Sequence, residues 1–530
     1  MRGGPSNPAR VVVPVLVFLV ALKTAAGLAG TIDVELDDET IYLDAAHHLR
    51  DRYLPLAESS PLYPAWYRVL SLAAREPLSL YYLNWFVLAL ALPLLLYALA
   101  RRSGASLGFA ATASAVWSFS GAVLVNPFVS KFAVLVLAAG ALASTFARER
   151  RVAFALGSAA VSVAAYARAE LLVPSYAFAA AAAIHGVVGR RRRPLASLFV
   201  VAVPAVLRLV FGEPRQGWRA FFAFGQHYAR NVIRARHLGV DAWTTWEEHT
   251  RADFPHATTI LEAARENPEA FLWHVGENAK ALPRAIVAVV GPLRYVPLFL
   301  VVVVALVLVV LVLVGIRALV RRRLDARLVG WMPLYLVVLL TTLGSALLIH
   351  PREHVLLPLV WLSLAALASA PGTVVPPLLR PRLRGIVQVA LLASLLALLP
   401  ARSGAPPALL RPAVPPPSSP PEAAETIRAL RSLGLKQKTV ILETSYSRAV
   451  YAGFPFERVG QQDKRGPFWD FVHERGVGLV VIDDRLRRDP RFANDPQFSR
   501  FAAGDGERED FELVPVERTA VVLAVRRRLR

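Results

Sequence analysis

A short acidic stretch near the start of the chain carries the residue types best suited to chemistry. Asp37, Asp38 and Glu39 are consecutive, and Tyr42 and Asp44 follow within a few residues. Crowded carboxylates raise one another's pKa, which suits one of them to act as a general base or a metal ligand. Acidic residues are also typical of a solvated helix N-terminus, where the peptide dipoles favour negative charge. The stretch taken alone leaves both interpretations open.

Long apolar segments around this stretch predict a membrane protein. Hydrophobic residues make up 55% of the 530-residue chain, and residues 296–316 are apolar apart from Pro297 and Gly315. Several such runs reach the roughly 20 residues that cross about 30 Å of hydrocarbon. We interpret the first run, residues 11–30, as a retained helix, with a cleaved signal peptide as the alternative. Because the chain contains no cysteine, a disulfide framework and a cysteine nucleophile are excluded.

The distribution of arginine predicts the topology. The formal net charge is +21, and much of the arginine lies in short clusters between apolar runs. The positive-inside rule explains this pattern better than nucleic-acid binding does, so we expect a lipid bilayer and no nucleic acid as partner. Clusters at residues 101–102, 148–151, 190–193, 317–323 and 380–384 therefore predict cytoplasmic loops. An even number of crossings between successive clusters, with further segments at residues 11–30, 80–100 and 385–401, gives about eleven spans.

This topology predicts a cytoplasmic N-terminus, an extracytoplasmic C-terminus and residence in the inner or plasma membrane. Residues 1–401 form the transmembrane domain, with large outer loops at 31–79 and 213–285, and the proline-rich residues 402–421 form a linker. Within the first loop, residues 40–54 predict an amphipathic helix on the membrane surface.

Residues 422–530 predict a small extracytoplasmic α/β domain. The pattern indicates a helix at 422–433, buried strands at 439–442 and 478–482, a helix at 467–475 and a closing strand pair at 511–516 and 520–525. No glycine-rich phosphate loop precedes a helix here, so we do not expect this domain to bind ATP or a nucleotide sugar. The predicted fold class is a polytopic α-helical membrane protein with a small C-terminal α/β domain.

The same topology brings charged residues from distant parts of the chain to the outer side. Besides the acidic stretch, these include Lys131, Arg168, His350, Arg352 and His354. Charged groups at membrane depth are costly, and they usually face a cavity or a partner. One shared outer site explains them, and a series of separate solvated hairpin turns is the alternative.

The acidic stretch and four other segments resemble the GT-C superfamily of glycosyltransferases that use lipid-linked sugars. An acidic pair just beyond the first membrane helix, with Tyr42 three residues after Glu39, resembles the motif of protein mannosyltransferases, aminoarabinose transferases and the bacterial RgtA/B/C/D-like enzymes. The other similar segments are Asn126-Pro127, Arg168-Ala-Glu170-Leu-Leu, Asn267-Pro268 with Phe271 and Asn278, and Arg352-Glu-His354-Val-Leu-Leu-Pro358. Ala169 and Leu171 replace the usual proline and glycine, and Glu353 stands where an aromatic residue is usual.

The resemblance implies an inverting transfer of a sugar from a polyprenyl phosphate to a glycan, lipid or protein acceptor on the extracytoplasmic side. Asp38 matches the catalytic acidic position and Glu39 its neighbour, while Asp37 is an additional acid that leaves the register open by one residue. Arg352 matches a residue expected near the lipid phosphate, and the predicted topology adds Lys131, Arg168, His350 and His354 as further candidates for binding the donor. The use of a divalent metal ion varies in the superfamily, so the sequence leaves a metal cofactor open.

Two other classes of protein are the alternatives, namely a multi-pass transporter or flippase and a non-catalytic envelope assembly protein. Transporters tend to contain internal repeats and broken helices near the membrane midplane. The second half of this chain does not repeat the first, and its charged residues map to the outer ends of spans. A non-catalytic relative would keep the same topology, so the activity of an acidic-motif variant distinguishes it.

Overall fold

The computed structural model describes residues 8–28, 32–47, 60–126, 128–188, 195–212, 216–240, 242–291, 326–369, 421–435, 437–444, 448–505 and 510–529. The predicted spans at 296–316 and 385–401, the linker up to residue 420 and three of the arginine clusters lie outside these residues. Pro127 of the Asn-Pro pair also lies outside them.

The part of the chain before residue 370 is mainly helical. The α-helices that the structure describes there are α1 (Ala9–Leu28), α2 (Asp38–His47), α3 (Leu62–Leu70), α4 (Pro77–Arg102), α5 (Leu107–Phe119), α6 (Val129–Ser144), α7 (Arg150–Ala165), α8 (Leu172–Val188), α9 (Leu195–Phe211), α10 (Gln216–Ala235), α11 (Ala242–Asp253), α12 (Ile260–Glu266), α13 (Pro268–Val290), α14 (Ala326–Leu348) and α15 (Glu353–Ser369). The predicted surface helix at 40–54 begins earlier, at Asp38, and is described as far as His47.

Within the described ranges, three helical stretches are long and apolar enough to cross a membrane. They are Ala9–Ala26, Pro77–Arg102 and Gly330–Leu348. Five more apolar helices have 10 to 17 residues, which is shorter than the roughly 20 residues of a full crossing. The protein is therefore a largely helical chain with membrane-compatible helices, and the number of eleven spans stays a prediction.

The chain divides into two compact units. The first comprises the described residues within Met1–Ala26, Leu54–Tyr63 and Val87–Val414, and the second those within Gly27–Tyr53, Pro64–Phe86 and Pro415–Arg530. The second unit thus combines the C-terminal domain with the acidic stretch, most of α3 and the start of α4.

Small residues and buried tryptophans shape the helix packing of the first unit. A Cβ atom added at Gly140 in α6 would lie 2.1 Å from the Cβ of Ala160 in α7, so this close approach requires glycine. Small residues at helix contacts are typical of helix pairs in membranes. Trp331 Nε1 donates to Ser103 Oγ at 2.9 Å, which gives this buried indole its hydrogen-bond partner.

The C-terminal part of the second unit is a five-stranded mixed sheet. Its elements are α16 (Glu422–Ser432), β1 (Thr439–Glu443), α17 (Arg448–Ala452), β2 (Phe456–Gly460), α18 (Phe468–Glu474), β3 (Leu479–Ile482), α19 (Asp484–Arg488), α20 (Pro490–Ala493), α21 (Pro496–Ala503), β4 (Phe511–Pro515) and β5 (Val522–Arg526). The strand order is β2-β1-β3-β5-β4, with β1 parallel to β2 and β3, and β5 antiparallel to β3 and β4.

The central strand β3 explains the layered core of this domain. All four of its residues are buried, because alternate side chains point to opposite faces and both faces are covered. Val480 and Ile482 belong to one apolar cluster with Phe468, whereas Leu479 and Val481 belong to another with Leu430. The predicted helices and the strands β1, β3, β4 and β5 are confirmed at these positions.

Candidate functional site

The three consecutive acids occupy different environments at the start of α2. Asp37 and Asp38 are exposed, whereas Glu39 is completely buried. The Glu39 carboxylate accepts a hydrogen bond from the Tyr67 hydroxyl of α3, and Asn84 Nδ2 donates to the same hydroxyl at 3.1 Å. Glu39 therefore ties α2 to α3, while the side chains of Asp37 and Asp38 face solvent.

A fourth acid, Glu35, holds the backbone of the acidic motif. Its Oε1 accepts the N–H groups of Asp37 at 3.0 Å and Asp38 at 3.2 Å, and its Oε2 accepts that of Glu39 at 2.5 Å. The first N–H groups of a helix lack partners within the helix, so Glu35 supplies the acceptors that they need.

Glu35 is also the acid whose pKa is raised by burial as well as by the surrounding negative charge. Burial is the largest cause that raises its pKa, to about 8, and the charges of Glu39, Asp38 and Asp37 act in the same direction. Donation from the Glu39 N–H lowers the pKa but is outweighed. Glu35 is not among the residues predicted from the sequence, because its role depends on the backbone N–H groups that surround it.

A cavity of about 410 Å³ in the second unit lies between Ala46, near the end of α2, and residues 67–80. Its wall includes Arg68 and Arg75, the polar Ser71, and Tyr67, the residue that donates to Glu39. Guanidinium groups bind phosphate well because they are always charged and offer several N–H donors in one plane. The cavity is therefore suited to an anionic group.

The two cavity arginines were also not predicted as site residues, although their position in the sequence is unusual. Arg68 and Arg75 lie in the first predicted outer loop, where the positive-inside rule disfavours basic residues.

In the first unit, the hairpin between α14 and α15 contributes to a second polar cluster. The His350 ring stacks on that of His227 in α10, with centroids 4.8 Å apart and an interplanar angle of 14°. His350 Nδ1 lies 3.2 Å from Asn278 Oδ1, and Asn278 Nδ2 donates to the carbonyls of Leu347 and Ile349 at 2.9 and 3.0 Å. Asn278 thus fixes the hairpin that carries His350.

The electrostatics of this cluster keep its imidazoles neutral. Burial lowers the pKa of His227 to about 2, with a further contribution from the Arg352 charge. Burial also lowers the pKa of His350 to about 4, and the charges of Arg230 and Arg352 act in the same direction. At neutral pH each neutral ring has one nitrogen that can donate a hydrogen bond and one that can accept, but the rings add no positive charge.

The predicted phosphate ligands of the first unit differ in their surroundings. The Arg352 guanidinium lies 5.1 Å from the ring centroid of Trp243, and His354 is partly buried in the first turn of α15. Arg168 Nε donates to Glu170 Oε1 at 2.7 Å, so its charge is matched by a neighbouring carboxylate.

Lys131 is buried in α6. Its Nζ donates to the Val123 carbonyl and lies 4.9 Å from the ring centroid of Phe128. Lys131 therefore contributes to the local packing of the helix that follows Asn126.

The predicted site residues fall into two groups according to the unit that contains them, and a single shared outer site stays a prediction. Asp37, Asp38 and Glu39 belong to the second unit, and the other group, in the first unit, consists of Arg352, His350, His354, Arg168 and Lys131. Within the described part of the chain, no cluster of three or more histidine or acidic side chains is arranged to hold a metal ion.

The chain matches no protein-family model, and no curated protein matches it. The GT-C resemblance therefore depends on the motifs quoted above and on the chemistry of the two groups of residues.

Proposed function

We propose that this protein is a GT-C-type glycosyltransferase that moves a sugar, with inversion, from a polyprenyl phosphate to an acceptor on the extracytoplasmic side. The observation that carries the proposal is the second unit's combination of exposed acids at the start of α2 with an arginine-lined cavity next to Tyr67. Such a transfer needs a base for the acceptor and cations for the leaving group.

In the proposed reaction, an acceptor hydroxyl oxygen forms a bond to C1 of the sugar. The bond between C1 and the phosphate oxygen breaks, so the polyprenyl phosphate leaves with the bonding electrons. Asp38 accepts the proton of the hydroxyl, and Arg68 and Arg75 stabilise the phosphate. Leu72 in the cavity wall is 88% exposed, which suits contact with a prenyl chain or the bilayer.

Membranes that contain the protein should transfer label from one member of a panel of polyprenyl phosphates carrying radiolabelled hexoses or pentoses. Arg68→Ala should lower kcat/KM for that donor by roughly 10- to 100-fold, since a hydrogen bond to a charged group contributes about 1.5–3 kcal/mol. Arg475→Ala is the matched control, because Arg475 is an exposed arginine of the C-terminal domain outside the cavity wall. Initial rates over a range of donor concentrations measure the effect.

Two outcomes of this assay argue against the assignment. If Arg68→Ala and Arg75→Ala retain the parent kcat/KM while Arg352→Ala loses it, the phosphate contact belongs to the first unit. If the parent protein transfers label from no donor of the panel, a transporter or an envelope assembly protein becomes the better interpretation.

We also propose that the chain crosses the membrane about eleven times, with a cytoplasmic N-terminus and an extracytoplasmic C-terminus. Segments in direct contact lie on the same side of any membrane that the chain crosses. The carboxylate of Asp33 accepts the N–H groups of Ala423 and Ala424, which supports a first loop and a C-terminal domain on the same side. An even number of crossings between them, as the arginine clusters predict, satisfies this requirement.

Single cysteines introduced into this cysteine-free chain test the topology. Ala73→Cys and Ser499→Cys, at exposed positions of the second unit, should react with a membrane-impermeant maleimide in right-side-out vesicles. Glu149→Cys, within an arginine cluster, should react only after the vesicles have been permeabilised. Labelling that differs between residues 73 and 499 would contradict the shared side, and labelling of Glu149→Cys in sealed vesicles would reverse the orientation.

A further inference from the structure

The C-terminal domain is hydrogen-bonded to the segment that precedes the acidic motif. Asp33 Oδ2 accepts the N–H of Ala423, and Asp33 Oδ1 accepts that of Ala424, both at 3.0 Å. These N–H groups lie at the start of α16, where Pro421 supplies no capping side chain. A carboxylate at this end satisfies the free donors and interacts favourably with the helix dipole.

A second contact involves Tyr451 of α17, which is completely buried. Its hydroxyl donates to the Glu35 carbonyl at 2.7 Å, and its ring meets that of Tyr81 edge-on, with centroids 5.8 Å apart. The Tyr81 hydroxyl in turn accepts the Glu35 N–H at 3.2 Å and donates to the Asp33 carbonyl at 3.1 Å. Tyr451 and Tyr81 together hold the backbone of Glu35 at both its carbonyl and its N–H.

Glu35 passes this restraint on to the acids of the motif. Its backbone is held by the two tyrosines, and its side chain accepts the N–H groups of Asp37, Asp38 and Glu39. Because a tyrosine hydroxyl has one proton to donate, the bond to the Glu35 carbonyl takes up the donor capacity of Tyr451. Any displacement of Glu35 therefore displaces the start of α2.

We propose that Tyr451 is a positioning residue through which the C-terminal domain holds the acidic motif in its working geometry. The expected effect on turnover rests on the proposed glycosyltransferase function, whereas the effect on the backbone of the motif does not. Catalytic carboxylates act efficiently when the surrounding structure holds them in place, so a looser Glu35 lowers the rate of the chemical step.

The test is Tyr451→Phe in the full-length protein, which removes the hydroxyl and keeps the ring that packs on Tyr81. Hydrogen–deuterium exchange at the amides of residues 37–39 should become about 2- to 10-fold faster, which corresponds to the loss of one neutral hydrogen bond. The kcat for sugar transfer should fall by a similar factor with little change in KM, because the proposed phosphate ligands are untouched.

Arg431→Gln is the matched control. Arg431 forms an ion pair with Glu76, so this variant removes another contact of the C-terminal domain without touching residues 33–39. Exchange at residues 37–39 and kcat should both stay at the parent values.

Unchanged exchange in Tyr451→Phe would overturn the positioning role, and so would equal acceleration in Arg431→Gln, which indicates general loosening. If the parent turns over no donor but Tyr451→Phe still accelerates exchange at residues 37–39, the positioning role is supported and the proposed reaction is what fails.

Discussion

Asp38→Asn is expected to lower the rate of sugar transfer by about 10²–10⁴-fold, the usual effect of removing a positioned base. Asparagine is nearly isosteric with aspartate, and Asp38 is exposed, so the substitution should leave the fold unchanged. The backbone N–H of residue 38 can still donate to Glu35, as it does at 3.2 Å in the parent. Single-turnover transfer at saturating donor measures the loss, and a thermal melt of the same sample checks the fold.

Asp37→Asn and Glu39→Gln complete the comparison. Asp37→Asn is the matched control, since Asp37 is also exposed and its N–H also donates to Glu35. Glu39→Gln should lower the melting temperature, because it replaces the buried carboxylate that accepts from Tyr67. An inactive Asp37→Asn with an active Asp38→Asn would move the base by one residue. Parent rates in all three variants would reduce the motif to a helix cap and remove the main support for a glycosyltransferase.

Arg448→Met is expected to destabilise the second unit by about 3–5 kcal/mol, the range for removing one partner of a buried ion pair. Arg448 NH2 lies 2.8 Å from Asp483 Oδ2, and NH1 lies 3.6 Å from Glu443 Oε2. The side chains of Arg448, Glu443 and Asp483 are 5%, 0% and 3% exposed. The substitution would therefore leave two buried carboxylates without their cation. The change is measured by unfolding the full-length protein and monitoring the protease susceptibility of the C-terminal domain.

Arg488→Met provides the matched control for this prediction. Arg488 pairs with Asp484 at 3.0 Å, but the two side chains are 81% and 57% exposed, so solvent screens the pair and its loss should have little effect. Adding Glu443→Gln and Asp483→Asn to Arg448→Met should restore much of the lost stability, because the uncompensated charges are then gone. Equal protease susceptibility of Arg448→Met and Arg488→Met would contradict a structural role for the buried group.

The C-terminal domain illustrates which elements can be predicted from a local pattern. The strand β3 was predicted because a strand buried on both faces is a continuous apolar run. The strand β2 was missed because it lies at the edge of the sheet and its sequence, Phe-Glu-Arg-Val-Gly, alternates weakly. Its place next to β1 depends on pairing with that strand, and pairing between segments has no local signature.

The acidic motif shows the same division between what a local sequence pattern predicts and what the packing of distant segments decides. The sequence by itself determined that apolar, membrane-length helices accompany an acidic cluster, because hydrophobic runs and charge depend on residue type and spacing alone. The tertiary structure decided that Glu39 is buried against Tyr67, 28 residues away, and that Tyr451 binds the Glu35 carbonyl across 416 residues. Burial and partner choice depend on which distant segments pack together, so packing alone distinguishes the buried Glu39 from the exposed Asp38.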